Sequence, residues 1–440
     1  MRGKEEIMDN PRKLALDSLI KADAVSSFSN LEINTVISRS DLSKKDAGLY
    51  TALYMGVTEK LITLDYVISR YSSVKIDKID TETKNALRLG LYQLMFMDRI
   101  PEYSAVSETV DICPKRSKGF VNAVLRSFIR NEKNVDYPKD EWEKMSVISS
   151  TPSYIIDIFR SSYGDKETKS LLEHVCEHTG ISLRVNTVRT EIKKVLSILD
   201  ERNIEYEIHP LAEDVITVYS PISDIEDIIK GGDVFVQDIA SRLAVRILSP
   251  REGTAMLDAC ACPGGKTFSS AIDMKNKGKI LACDLHKNKL SLIEKGAKNL
   301  SLDIIETREQ NGKVYCEELD SAFDTVLCDV PCSGLGVIWK KPDIKYKKAE
   351  SVTSLPKVQM EILENCARYV KVGGELMYST CTLNKAENED VVATFLSSHS
   401  DFCSVDFSLG EIQSVNGVYT FMPHKTGSDG FFVAKMRRVK

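Results

Sequence analysis

Leu14, Ala15, Leu19 and Ile20 recur at the three-to-four-residue interval that places side chains on one helix face. A longer periodic stretch runs from Lys44 towards Arg70, and another from Thr81 to Met97. In the second, Leu87, Leu89, Leu91, Leu94 and Met95 are too dense for one exposed stripe, which predicts a helix buried on most sides. Pro101 is expected to stop it, and a further helix covers Gly119–Arg130. Residues 1–135 therefore read as an all-α domain. The polar stretch Asn131–Asp140, with Pro138, reads as a linker.

The pattern then changes. After two more helices, a strand is expected at Ile181–Asn186, a helix at Glu191–Arg202, and strands at Ile204–His209 and Val215–Tyr219. This is the order of a small α+β, RRM-like module over residues 141–232, without the aromatic signature of an RNA-stacking sheet. From residue 233 to 440, short apolar strands (Ala255–Asp258, Ile280–Asp284, Thr325–Asp329, Glu375–Ser379) alternate with helices. That alternation predicts a doubly wound, mostly parallel α/β sheet of Rossmann type, with its active site at the carboxyl ends of the strands.

Composition narrows the function classes. The chain has 440 residues, 42% hydrophobic and 28% charged, which is ordinary for a globular protein. Lys+Arg is 59 against Asp+Glu 64, a net charge of −5, so a uniformly basic nucleic-acid coat is excluded while a local basic patch is not. Lys115–Arg130 is such a stretch, readable as a solvated face or as a phosphate contact. No apolar run reaches the roughly 18 residues of a membrane span, and Met1–Arg12 lacks an apolar signal region. The expected compartment is the cytoplasm, where the 11 cysteines would be thiols. Cys260 and Cys262 form a C-x-C pair, but no second pair has zinc spacing, so no metal is expected.

Three strand ends carry the chemistry. The first is Asp258-Ala-Cys260-Ala261-Cys262-Pro263-Gly264-Gly265-Lys266-Thr267, which follows a strand and opens a helix. Its glycines let the backbone approach a ligand closely. It lacks the leading glycine of a P-loop and is not GxGxxG. Asp284 ends the next strand, where a carboxylate can accept both hydroxyls of a ribose; together these indicate an adenosine-type cofactor. The second is Asp329-Val-Pro-Cys332-Ser-Gly-Leu-Gly336 and the third Ser379-Thr-Cys381-Thr382. Cys332 and Cys381 are followed by turn residues, whereas Cys283, Cys328 and Cys366 sit in apolar runs and read as small core hydrophobes.

These motifs, in this order, resemble the RNA cytosine-C5 methyltransferases of the RsmB/Nop2/Sun family. Val236-Gln237-Asp238, Pro342-Asp343-Ile344-Lys345, Glu387-Asn388-Glu389 and Asp429-Gly430-Phe431-Phe432 extend the resemblance from Gln237 to the C-terminus. The helical region resembles the NusB fold through Arg88-Leu-Gly-Leu-Tyr-Gln-Leu94, Asp98-Arg-Ile-Pro101, Ala105-Val-Ser-Glu108 and Gly119-Phe-Val-Asn-Ala-Val-Leu-Arg126. The fusion is the arrangement of bacterial 16S rRNA C5-methyltransferases.

The resemblance implies methyl transfer from S-adenosyl-L-methionine to C5 of a cytosine in 16S rRNA, of the cytosine-967 class, through a covalent Cys–C6 adduct. It implies cofactor contacts from Cys260, Ala261, Cys262, Pro263, Gly264, Gly265, Lys266, Asp284, Asn311 and Asp329. It implies Cys381 as nucleophile, Cys332 as the group assisting release, and Asp329 and Lys266 as catalytic companions. The partner implied is 16S rRNA or a small-subunit assembly intermediate, with no membrane. The residues alone leave the nucleophile open, because DNA C5-methyltransferases use the cysteine of the Pro-Cys motif. They also leave Lys266 open between a catalytic charge and a solvated helix start. Two positions depart from the family pattern: Cys262 stands where Ala is usual, and Gln310-Asn311-Gly312 where an Asp is usual. A binding factor with a dead catalytic domain would not need Cys381, Cys332, Asp329 and the Gly-Gly-Lys turn together. An amino-group methyltransferase would carry Asn/Asp-Pro-Pro-aromatic where this chain has Asp329-Val-Pro-Cys332.

Overall fold

The computed structural model describes residues 9–25, 30–174 and 180–440. They form two compact units. The first takes the described residues up to His174 together with Ile338–Lys348; the second takes Gly180 to Val337 and Ala349–Lys440.

The first unit is helical. Arg88 explains part of its order: buried in the helix Thr81–Phe96, it pairs with Asp65 at 2.7 Å and Asp23 at 3.0 Å. Leu87, Leu89 and Leu91 of the same helix have no exposed surface, as their density implies. The stretch Lys44–Arg70 is two helices, Lys44–Glu59 and Leu61–Tyr71, because Lys60 leaves helical geometry and Ser150 Oγ accepts from Ile62 N at 3.0 Å. Apolar periodicity runs through that break and cannot reveal it. Pro101 does not stop the central helix. Met97 already has φ −125°, and Pro101 is the N-cap of the next helix, Glu102–Ile112. Within Pro342–Lys345, Lys345 is buried and donates from Nζ to the Glu59 carbonyl at 3.0 Å.

The second unit holds two main sheets. The smaller pairs β2 (Tyr206–His209), β3 (Ala212–Val218), β1 (Ile181–Val185) and β4 (Val234–Val236) in that order, all antiparallel. The helix Ile192–Glu201 supplies Val195 and Leu199 to its core. Arg184 of β1 has 1% of its side chain exposed and pairs with Asp214 at 2.9 Å and Asp273 at 3.3 Å. Arg242, also buried, pairs with the same two half-buried carboxylates at 2.9 and 2.6 Å, closing a four-charge ring.

The larger sheet contains five parallel strands: β5 (Ala255–Asp258), β6 (Lys279–Asp284), β7 (Ile305–Glu309), β8 (Phe323–Asp329) and β9 (Val370–Thr380). Short antiparallel strands complete it: β10 (Phe402–Ser404), then, past a separate pair β11 (Ser408–Leu409) and β12 (Ile412–Gln413), β13 (Val418–Phe421) and β14 (Phe431–Arg438). The order is β10-β14-β9-β8-β5-β6-β7, with β13 on β14. Met256, Leu327 and Met377 enter one core and Leu257, Val326, Cys328 and Tyr378 another, the period-2 alternation of a sheet covered on both faces. Cys283, Cys328 and Cys366 are all buried in the second core. The chain leaves β5 towards β6 and returns on its other side at β8, so the strand order reverses there, where α/β sheets bind ligands. Asp258, Asp284, Glu309, Asp329 and Thr380 are the last residues of the five parallel strands.

Candidate active site

The turn after β5 is fastened to both neighbouring strands. Ala259 N donates to Leu327 O at 3.0 Å, and Ala261 N to Cys283 O at 2.8 Å. Gly264 then has φ 110°, which a residue with a Cβ rarely adopts, and a Cβ there would meet the Phe268 ring at 2.5 Å. Gln237 Nε2 donates to Gly265 O at 2.9 Å, fixing the start of the helix Gly265–Asp273. Asp238 caps the helix Ile239–Leu248 through Ala240 N at 2.8 Å and also accepts from Asp429 N at 3.3 Å. The Gln237-Asp238 and Asp429-Gly430 motifs thus have positioning roles.

Asp258 is buried, and Thr267 Oγ1 donates to its Oδ2 at 2.6 Å. Its Oδ1 is buried without a hydrogen-bond partner among the described residues. Burial, with the charge of Asp329 behind it, pushes this carboxyl up to about 7. Asp284 is half-buried and accepts from His286 N at 3.0 Å; Leu285 beside it is exposed. Asn311 is exposed, and its Oδ1 accepts from Lys313 N at 3.1 Å. Its amide group therefore presents mainly donors outward, unlike the Asp usual at that place. Cys260 is half-buried, and burial pushes its thiol well up. Cys262 contacts Lys289 O at 3.6 Å.

Lys266 does not face solvent. Its side chain is 14% exposed and Nζ donates to Asp329 Oδ2 at 2.8 Å, with the Phe431 ring centroid 4.7 Å away. Burial disfavours the ammonium, but Asp329, and behind it Cys381 and Asp258, outweigh that and hold it above its ordinary value. Ser379 Oγ donates to the other Asp329 oxygen at 2.7 Å, from the strand position paired with Asp329. Cys332 and Cys381 follow these two strand ends, and their sulfurs lie 3.3 Å apart. The sulfur contact with Cys381, together with burial, pushes the Cys332 thiol well above its ordinary range. Gly336 N donates to Cys381 O at 3.0 Å and Gly430 N to Gly336 O at 2.8 Å; a Cβ on Gly336 would lie 2.0 Å from Gly430 O. Only glycine allows these three backbones to stack.

Cys381, Cys332, Asp329 and Lys266 therefore form one constellation at adjacent strand ends. Sequence reasoning gave no role to Asp258, Ser379, Gln359, Glu387 or Phe431. Ser379 and Asp258 lay within recognised motifs, but Gln359 lies in a helix with no local signal. Lys118, Arg126 and Arg130 lie on the helix Lys118–Arg130 of the first unit, where Arg126 and Arg130 are exposed and Lys118 sits 3.6 Å from Asp111. Among the described residues, no helix is long and apolar enough to cross a membrane.

Comparison with known proteins agrees with this layout. Residues 245–437 match the family model for 16S rRNA methyltransferase RsmB/F, residues 9–130 the NusB family, and residues 151–225 a ferredoxin-like domain of RsmF/B-like methyltransferases. The chain is 35% identical to a probable ribosomal RNA small subunit methyltransferase B of Bacillus subtilis, covering 97% of this chain and 98% of that one. It is 32% identical to a protein of the same description from Synechocystis, over 98% and 100%. A methyltransferase homologue from Pyrococcus horikoshii shares the fold over 68% of this chain and all of its own, with a TM-score of 0.59 at 23% identity.

Proposed function

Because the chain belongs to the RsmB/F family of 16S rRNA methyltransferases, with an N-terminal NusB-family domain, we propose that it methylates C5 of a cytosine in 16S rRNA, of the cytosine-967 class, through a covalent Cys381–C6 adduct. The observation that carries this reading is the Cys332–Cys381 pair at 3.3 Å beside the Lys266–Asp329 pair.

The donor is S-adenosyl-L-methionine, which supplies an electrophilic methyl group on a sulfonium. The residues present suit it. Asp284 offers a carboxylate at a strand end for ribose hydroxyls, and Gly264 and Gly265 allow close approach. Cys260, Ala261, Cys262, Pro263 and Asn311 complete the cofactor-side loops.

Cytosine C5 is a weak nucleophile until C6 is substituted. Cys381 Sγ bonds to C6, and the C5=C6 electron pair moves into the ring as N3 takes a proton. Lys266, 2.8 Å from the Asp329 carboxylate, gives it a proton, and Asp329 delivers that proton to N3. The Lys266 charge also favours the Cys381 thiolate. C5 then takes the methyl group. With Cys332 assisting release, the C5 proton passes to solvent water, N3 returns its proton through Asp329 to Lys266, the C5=C6 bond re-forms, and Cys381 leaves as thiolate. The helical unit contributes RNA phosphate contacts from Arg126 and Arg130. Bisulfite mapping of 16S rRNA from cells with and without the protein tests the reading. One protected cytosine that disappears on deletion is expected; an unchanged map overturns it.

A further inference from the structure

We infer that the dipeptide Glu387-Asn388 is a positioning device, in which Glu387 places Cys332 and Asn388 places Cys381. This rests on the division of labour between the cysteines proposed above.

Glu387 has no exposed surface, yet four donors converge on its carboxylate. Ser333 N donates to Oε2 at 2.9 Å and Gln359 Nε2 to the same oxygen at 2.8 Å. Ser333 Oγ donates to Oε1 at 2.5 Å and Asn384 Nδ2 at 3.0 Å. Gln359 Nε2 also donates to Pro331 O at 3.0 Å. The residues on either side of Cys332, Pro331 and Ser333, are thus both tied to Glu387. A buried carboxylate is tolerated because its acceptor sites are filled by donors.

Asn388 does the same for Cys381. Thr380 Oγ1 donates to Asn388 Oδ1 at 2.6 Å, and Asn388 Nδ2 donates to Thr382 O at 2.9 Å. These are the two neighbours of Cys381. Because Ser333 gives its only hydroxyl proton to Glu387, its contact with Thr382 Oγ1 at 2.7 Å has Thr382 as donor. That bond joins the two halves. Asn384 Oδ1 accepts from Ala386 N at 3.2 Å, so its NH2 is committed to Glu387. An amide in place of the carboxylate would turn its own donors against this shell. The charge matters too: Glu387 adds to the sulfur contact and burial that keep Cys332 protonated.

The test separates addition from release. Glu387→Gln and Asn388→Ala are compared with wild type for cofactor affinity, melting temperature and crosslinking to two RNAs. One is 16S rRNA transcribed with 5-fluorocytidine, on which adducts cannot be released; the other is ordinary 16S rRNA. Glu387→Gln should crosslink to the fluorinated RNA at near wild-type rate and accumulate adduct on ordinary RNA, with release slowed roughly 10- to 100-fold, the scale of a small misplacement. Asn388→Ala should slow adduct formation on the fluorinated RNA by a similar factor. Should either variant fail to fold, Ser333→Ala, which loses the hydroxyl bonds to Glu387 and Thr382, and Thr380→Val, which loses those to Asn388 and Thr382 N, should give the same two patterns in weaker form. Variants affected alike in both steps, or in neither, while wild type forms adducts, overturn the positioning roles. Absence of adducts in wild type itself instead overturns the covalent reading on which they rest.

Discussion

The sulfurs of Cys332 and Cys381 lie 3.3 Å apart, although 48 residues separate them in the chain, because β8 and β9 are parallel neighbours and end level with each other. Two thiols in contact can divide one difficult step into addition and elimination. Cys381→Ala is expected to be inactive and to form no protein–RNA adduct. Cys332→Ala should still add and transfer methyl, then stall as a slow band on a denaturing gel. Adducts in Cys381→Ala and none in Cys332→Ala would reverse the two roles.

Asp284 ends β6 with a half-buried carboxylate. Asp284→Ala should weaken S-adenosylmethionine binding by ~1.5–3 kcal/mol, the range for hydrogen bonds to a charged group. Titration calorimetry on the folded variant checks this, and unchanged affinity removes Asp284 from the site.

Asp258 is held protonated by burial up to about 7, against 3.8 for the free group. The folded state keeps this proton while the unfolded chain loses it. Its contribution to stability is therefore complete below pH 3.8 and is lost as pH rises towards about 7. Asp258→Asn lacks this titration and keeps an acceptor for Thr267. Its melting temperature should gain on wild type as pH rises from about 5 to 8; a gap independent of pH would show that Asp258 does not titrate there.

In the ring of Arg184, Arg242, Asp214 and Asp273 the two arginines are buried and the two carboxylates half-buried. Burial and the like charge of Arg242 lower Arg184 to about 10. Burial raises Asp214, but its hydrogen bond to Arg242 and the charges of both arginines win, leaving it below its ordinary value. Its stabilisation is present above the unfolded value and lost as pH falls through the folded one. Asp214→Ala leaves two buried cations under-compensated and should cost ~3–5 kcal/mol at pH 7 by urea unfolding, with the difference narrowing in strong acid.

Arg126 and Arg130 are exposed on the helix Lys118–Arg130. If both touch phosphate, replacing them with Ala lowers RNA affinity and reduces the slope of log affinity against log salt by about one per contact. A filter-binding series in salt measures it; an unaltered slope would make this a solvated face.

Much of the molecule was legible in one dimension. Helical periodicity marked the first unit, and apolar strands ending in Asp258, Asp284 and Asp329 marked the parallel sheet, because burial on one or both faces writes its period into the chain. The motif residues Cys332, Cys381 and Lys266 stood out because turn residues after a strand are exposed to local reading. β7 and β14 did not. The first has a mostly polar edge and the second is long-range antiparallel pairing, settled by its partner β9. The break at Lys60 was hidden because its cap, Ser150, is 88 residues from Ile62.

What the sequence determined alone was which residues could carry chemistry and which strand ends would bear them. What only the tertiary structure decided was their pairing: Lys266 with Asp329, Cys332 with Cys381, Ser333 with Glu387. Each pair joins side chains from separate segments, and parallel strands bring such segments together through the sheet's register. Burial then sets the protonation of what they hold, and burial belongs to the packed whole and not to any local run of residues.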